Sequence, residues 1–352
     1  MKAWLAAGVV LLGGGCGGDD AGVSRRFYVS GYDPTISVLN LVSGTGAVEP
    51  VTSVVGGMAP SWLAFGVGGK VVYALDEVEV STIGAFAIGG DGGLTAINRA
   101  PTGGKGAAHV AVDPSGQWLL SANYVSGDVA VNAILGDGGV GAATDLKSGC
   151  QGAHQIVFAG GGKDVFVPCL QSNFIMQFTF AAGKLTANDP ATVAWDGGPR
   201  HLVFDRAEKH AYLLTELDNN VTRFDFDAAH GTISNPASVS ALAAGGVPGE
   251  AAEIAVHGSG KFLYASNRAD DSIAIFALDA EGKPTNIGWQ RSDVAGVRHF
   301  TFDPSGTFLL AASQTTARLA VFRIDQSSGQ LTLTGPPLAL PPGPAFVGFS
   351  PQ

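Results

Sequence analysis

The chain has 352 residues, among them 51 glycines and 18 prolines, a formal net charge of −10 and a pI near 5.0. That charge argues against nucleic acid and against anionic membrane surfaces as partners. Length alone allows two or three domains, but one repeat running from end to end argues for a single folded unit.

The N-terminus stands apart. Lys2 precedes an apolar run over residues 3–12, followed by Gly13, Gly14, Gly15 and Cys16. A basic start, a short apolar core and small residues form a secretory signal, and the run is too short to span a bilayer as a mature helix. The cysteine after small residues resembles a bacterial lipoprotein signal. Residues 1–16 are therefore expected to be a signal peptide ending in lipidation of Cys16, with an ordinary signal peptide as the alternative. A lipidated chain would be exported and held at the periplasmic or cell surface, touching the membrane only through that anchor. Residues 17–25 read as a flexible linker and 26–352 as the folded domain.

Residues 26–41 read as two strands. A three-strand unit follows, clearest at 199–226, where strands at 201–205, 210–215 and 220–226 are separated by polar turns. It recurs from Ser61, Ala108, Ala153, Ala252 and Arg298, and a truncated copy begins at Ala345. The residues opening each first strand are Trp62, His109, Gln155, His201, Glu253, His299 and Phe346, spaced 47, 46, 46, 52, 46 and 47 apart. A period in the forties with several strands per unit is the mark of a β-propeller, here with seven blades. The last copy lacks its second and third strands, and residues 26–41 resemble those two strands of the unit near Gly260. The fold class is thus all-β, a seven-bladed propeller closed by pairing N- and C-terminal strands, residues 345–349 against 27–30. Closure removes the open edges of a linear array.

Asp113 to Gly116 and Asp303 to Gly306 both read DPSG and suit type I turns. The extra length between Asp227 and Gly249 reads as a loop overhanging one face. Cys150 and Cys169 leave two options open: a disulfide in an oxidising compartment or two buried thiols. With no CxxC and no His/Cys cluster, neither a metal nor another cofactor is expected.

Because strand two runs antiparallel to strand one, the start of the first and the end of the second share one rim. Before the strand-opening residue stand His154, Arg200 and Arg298; at it stand His109, His201, Glu253 and His299. Fourteen or fifteen residues further on come Asp76, Glu77, Asn123, Tyr124, Glu216, Asn267, Arg268 and Gln314. The opposite ends carry common turn residues. Convergent polar groups around an axis point to a ligand site. Arg268, Arg298, His201, His299, Glu253, Glu77, Asn123 and Gln314 are the candidates for substrate contact. The arginines would repel a cation at the axis, which again argues against metal.

PRHLVF at 199–204, LTELDNNVTRFDF at 214–226, AAEIAVHGSGKFLYASNRADDSIAIF at 251–276 and ANYVSGDVAV at 122–131 resemble the bacterial 6-phosphogluconolactonase-type lactonase family, which includes the fungal carboxymuconate cyclase. The resemblance covers roughly residues 26–352. It implies a lactone-opening hydrolase with Arg200 and Glu216 in the active site and a third-repeat histidine, His154, beside them. The family tends to read PHAH where this chain has QGAH, so Gly152 stands at the first motif histidine. Cys169 and Asn173 stand where acidic residues are usual. Ring opening needs a base for water and donors for the oxyanion. Glu216 or His154 could take the proton, Arg200 and Arg268 could stabilise negative charge, and Arg298 could bind a carboxylate or phosphate. Two readings stay open: a monomeric lactonase acting on a small lactone or other anionic ligand, and a propeller lipoprotein that binds a ligand or protein without turnover.

Overall fold

The computed structural model describes residues 24–291 and 293–351; the signal segment and Cys16 lie outside the described residues. Within them the chain forms seven antiparallel sheets in chain order. Blade 4 is representative: Pro199–Phe204, His210–Thr215, Asn220–Asp227 and Thr232–Ser240, running from the axis outward. Sequence reading found three strands per blade, and each blade has a fourth, outer position. The outer strands were missed because they are mostly exposed and polar, as in Thr232–Ser240, so they lack the buried alternation that marks the others. The expected overhanging loop is therefore mainly the outer strand of blade 4, with only residues 241–250 left as connection.

Ring closure follows the sequence expectation. Pro344–Phe349 is the inner strand of blade 7 and pairs with Ser24–Gly31, placing Phe27 opposite Phe349, Val29 opposite Val347 and Ser30 opposite Phe346. Ser24 consequently begins at the face opposite the start of the inner strands. The closing blade packs on both neighbours. Phe27 and Leu39 share a buried cluster with Phe308 and Leu310 of blade 6, and Tyr28 and Ile36 share one with Leu63 and Val72 of blade 1.

The blades are latched as well as packed. Buried tyrosines at equivalent places in second strands donate to a glycine carbonyl of the next blade's outer hairpin: Tyr73 to Gly138 at 3.1 Å, Tyr212 to Gly282 and Tyr264 to Gly329 both at 2.7 Å. Across the seam Tyr28 donates to Gly92 at 3.3 Å. Such a bond satisfies two groups that burial would otherwise penalise.

One irregularity recurs and positions the site. The register shifts just before the strand-opening residue, between Pro60 and Trp62, Ala107 and His109, Pro199 and His201, Ala251 and Ile254, and Val297 and His299. A bulge breaks the one-in, one-out alternation of a strand. Arg200 and Arg298 are the extra residues of two such bulges, which lets them share the axial region with the histidines that follow them. Blade 3 goes further. Its inner strand begins only at Val157, and the segment before it meets its neighbour through a single bridge between Ala153 and Cys169.

The cysteine question is settled by distance. Cys150 and Cys169 form a disulfide with Cα atoms 5.0 Å apart. It ties the connection carrying His154 to the end of the second strand of blade 3.

Truncation after Pro344 removes an inner strand and opens the ring, since both neighbouring clusters lose their closing members. Circular dichroism melting of the truncated chain is expected to lose its cooperative transition; an unchanged transition would contradict closure as the source of stability.

Candidate active site

The rim expected from sequence is present, and it is organised in two levels. The lower level is a plug formed by the strand-opening side chains. The ring of Trp62 lies 4.3 Å from that of His109, 4.9 Å from His299 and 5.0 Å from Phe346, and His299 stacks on Phe346 at 4.9 Å. Backbone amides of the next blade reach these residues: Ile156 N–H donates to His109 Nδ1 at 3.4 Å, Leu202 N–H to Gln155 Oε1 at 2.6 Å, and Val347 N–H to His299 Nδ1 at 3.3 Å. Glu253 Oε2 lies 3.2 Å from His201 Nδ1 and 3.1 Å from His299 Nε2, close enough for charge but outside hydrogen-bond alignment. His201, His299 and Glu253 are thus buried in the axial floor.

The upper level is a narrow cleft whose lining includes Trp62, Glu77, His154, Arg200, His201 and Arg298. Arg200 is 2 % exposed and directs Nε to Glu216 Oε2 at 2.8 Å and Nη1 to the Ala252 carbonyl at 2.5 Å. Arg268 Nη2 reaches the other oxygen of Glu216 at 3.0 Å and its Nε the Glu250 carbonyl at 2.9 Å. One carboxylate is therefore clasped by two guanidiniums from blades 4 and 5. Burial opposes the charge on Glu216, but Arg200, Arg268 and Arg298 outweigh it and hold the carboxyl below its ordinary range. Burial lowers Arg200 to about 10, with Glu216 acting in the opposite direction.

His154 is buried, and its ring lies 5.1 Å from that of His201 and 5.8 Å from Tyr124. Its Nδ1 has no hydrogen-bond partner among the described residues. Burial first, then the charge of Arg200, pushes its pKa well below the usual histidine value, so it stands as a neutral imidazole. Gly152 has φ +71, and a Cβ there would come 2.8 Å from the Gln171 nitrogen. The backbone as folded has no room for a histidine at that place.

Alternation separates the rim candidates. Residues fourteen places after the strand opening turn away from the axis and brace loops: Asp76 accepts from the Met58 and Ala59 amides, and Asn267 bonds Asn219 and Ala241. Asn123 stands at the same place, packed where a Cβ on Gly104 would come within 2.4 Å, but its buried amide has no hydrogen-bond partner among the described residues. The next residue along lies at the mouth, as Glu77, Glu216 and Arg268 do. Gln314 stays on the rim, its backbone bonded to Gly296, and it does not line the cleft.

Sequence reading missed Tyr32. Its hydroxyl donates to Glu77 Oε2 at 3.1 Å, and Arg298 lies over its ring at 5.4 Å. The signal existed: matching residues 26–41 to the unit near Gly260 sets Tyr32 at the place of Arg268. Among the described residues no cluster of three His, Cys, Asp or Glu side chains suits a metal ion.

These features define a closed seven-bladed propeller with a cation-rich mouth over a neutral histidine floor. Residues 26–349 match the family described as "Lactonase, 7-bladed beta-propeller", and the chain belongs to it. A 6-phosphogluconolactonase of Pectobacterium carotovorum is 28 % identical over 305 residues, covering 86 % of this chain and 88 % of that one. One of Bacillus subtilis is 28 % identical over 304 residues, covering 82 % and 87 %. The solved structure of a periplasmic gluconolactonase of Pseudomonas aeruginosa superposes with a TM-score of 0.87 at 25 % identity, covering 94 % of this chain and 99 % of that one.

The buried histidines carry a pH cost. His109, His154 and His201 are pushed well below 6.5 and His299 to about 4, in each case chiefly by burial. Where the folded pKa lies below the unfolded one, the unfolded chain binds more protons. The stabilisation is then complete above about 6.5 and drains away as pH falls toward the folded values. Glu253 is raised by burial and acts in the opposite sense, so the histidines outnumber it. Urea unfolding is expected to weaken from pH 6.5 to 4.5, and His109→Gln, the residue blade 3 carries at that place, to flatten the slope. An identical slope in the variant would remove the plug as its origin.

Proposed function

We propose that the protein is an exported lactone hydrolase working at the cleft above the histidine plug. The observation that carries this is Glu216 held ionised between Arg200 and Arg268, with Arg200 lining the same cleft as the neutral imidazole of His154. In this reading His154 accepts a proton from the water that attacks the lactone carbonyl. The oxygen that becomes negative is stabilised by the guanidinium charge of Arg200 and Arg268. Collapse of the tetrahedral intermediate breaks the ring C–O bond, and the protonated His154 returns its proton to the leaving alkoxide, giving an open hydroxy acid. Glu216 is too well paired to be a strong base and orients the two guanidiniums. His201, His299 and Glu253 support the floor under the substrate, with Arg298 and Glu77 at the mouth.

Kinetics against the best lactone of a panel test the roles. Arg200→Gln is expected to lower turnover about a hundredfold, by analogy with the loss of one oxyanion donor. Glu216→Gln should lower it with little change in the melting temperature. Because both His154 and Glu216 are depressed, kcat/KM should stay level from pH 8 to 6 and fall only below the ordinary histidine range. Near-wild-type rates in both variants would remove this rim from the mechanism, and a wild type that opens no lactone of the panel would favour the alternative that Gly152 suggests, a propeller that binds without turnover.

Export rests on the lipoprotein-like segment ending at Cys16, on the Cys150–Cys169 disulfide, which suits an oxidising compartment, and on a periplasmic relative. Ser24, the first described residue, stands at the face opposite the cleft, so an anchor at Cys16 would reach the fold from that side. Mass spectrometry of the native N-terminus should find cleavage before Cys16 with acylation there; a retained Met1 would refute this.

A further inference from the structure

We infer that the cleft selects a lactone bearing a single carboxylate, held by Arg298, over one bearing a phosphate. This rests on the lactonase reading and names its substrate class. Three guanidiniums stand at the mouth, and two of them, Arg200 and Arg268, are occupied by Glu216. Arg298 alone of the three has no ion pair or hydrogen bond among the described residues; its contact is the face of Tyr32, 5.4 Å to the ring centroid. Glu77 lines the same cleft and takes the Tyr32 hydroxyl at 3.1 Å, and it forms no ion pair with Arg298 among the described residues. Tyr32 thus contacts both groups, its hydroxyl on the acid and its ring face under the cation. A partly buried guanidinium kept apart from its neighbouring acid is poised for an anion that is not part of the chain.

Charge sets the kind of anion. Arg200, Arg268 and Arg298 against Glu216 and Glu77 leave one positive charge. His154 and His201 in the same cleft stay neutral, since burial depresses both, and Glu253 lies below in the plug. A carboxylate matches one guanidinium in both charge and two-pronged geometry. A phosphate monoester carries about −1.5 to −2 at neutral pH. It would meet a single unpaired cation and face the Glu77 carboxylate.

The test compares kcat/KM of the purified protein for three lactones: the neutral glucono-1,5-lactone, the carboxylate-bearing glucaro-1,4-lactone and 6-phosphoglucono-1,5-lactone. The carboxylate-bearing compound should lead. Arg298→Gln should cut its advantage over the neutral lactone about ten- to a hundredfold, the loss of a charge-assisted hydrogen bond, mainly through KM. Glu77→Gln should raise the relative kcat/KM of the phosphorylated lactone. A wild-type preference for the phosphorylated compound, or an equal loss on all three in Arg298→Gln, would overturn the inference. If none is opened, the hydrolase reading fails, and calorimetric titration with glucaro-1,4-lactone decides the rest. Binding that disappears in Arg298→Gln sustains the carboxylate site, and absence of binding by the wild type ends it.

Discussion

Everything at the axis depends on one backbone pairing, Ser24–Gly31 against Pro344–Phe349. Local hairpins can make each blade, but only this long-range pairing makes a ring, and it draws chain ends more than three hundred residues apart into one sheet. The cleft straddles that seam. Arg298 comes from blade 6, Tyr32 from blade 7, and Trp62 and Glu77 from blade 1. Without closure there is no contact between Arg298 and Tyr32 and no wall opposite Arg200.

Closure also determines the electrostatics. Inner strands that converge on an axis force their first side chains together, and the bulges bring two consecutive residues from several blades into that space. The lower layer is filled with aromatic rings and imidazoles, which fold neutral because burial disfavours charge. Apart from Glu253, whose carboxyl pKa burial raises, the charged groups stand in the upper layer, where guanidiniums and carboxylates from adjacent blades meet. A low-dielectric floor beneath strengthens those interactions, so the plug is part of the site's chemistry as well as its support.

Blade 3 is where the chain departs from its own repeat, and the departures lie together. Gly152 takes a left-handed backbone close to Gln171, the inner strand is interrupted, and Cys169 is bonded to Cys150 across the gap. The disulfide adds a covalent restraint to the short backbone pairing of the His154 segment. The His154 segment is therefore held both by the disulfide and by backbone bonds to the second strand, His154 N–H to the Pro168 carbonyl and Leu170 N–H to the Gly152 carbonyl, both at 3.0 Å.

The sequence by itself determined the fold, because a seven-fold repeat with complementary end fragments admits one closed arrangement. It also determined the rim and the membership of Arg200, Glu216 and His154 in it, since antiparallel pairing sends strand starts and strand ends to the same side. The outer strands escaped it, for they bury little and so leave no periodicity. Three matters belonged to the tertiary structure. Whether Cys150 and Cys169 meet depends on the distance between their backbones. Asn123 and Glu77 part company because alternation turns neighbours to opposite sides of a strand. Arg298 has no ion pair among the described residues while Arg200 and Arg268 share Glu216, and its contact is instead Tyr32, brought across the seam. Pairing among charges is decided by angstroms between blades, and spacing along a chain does not record it.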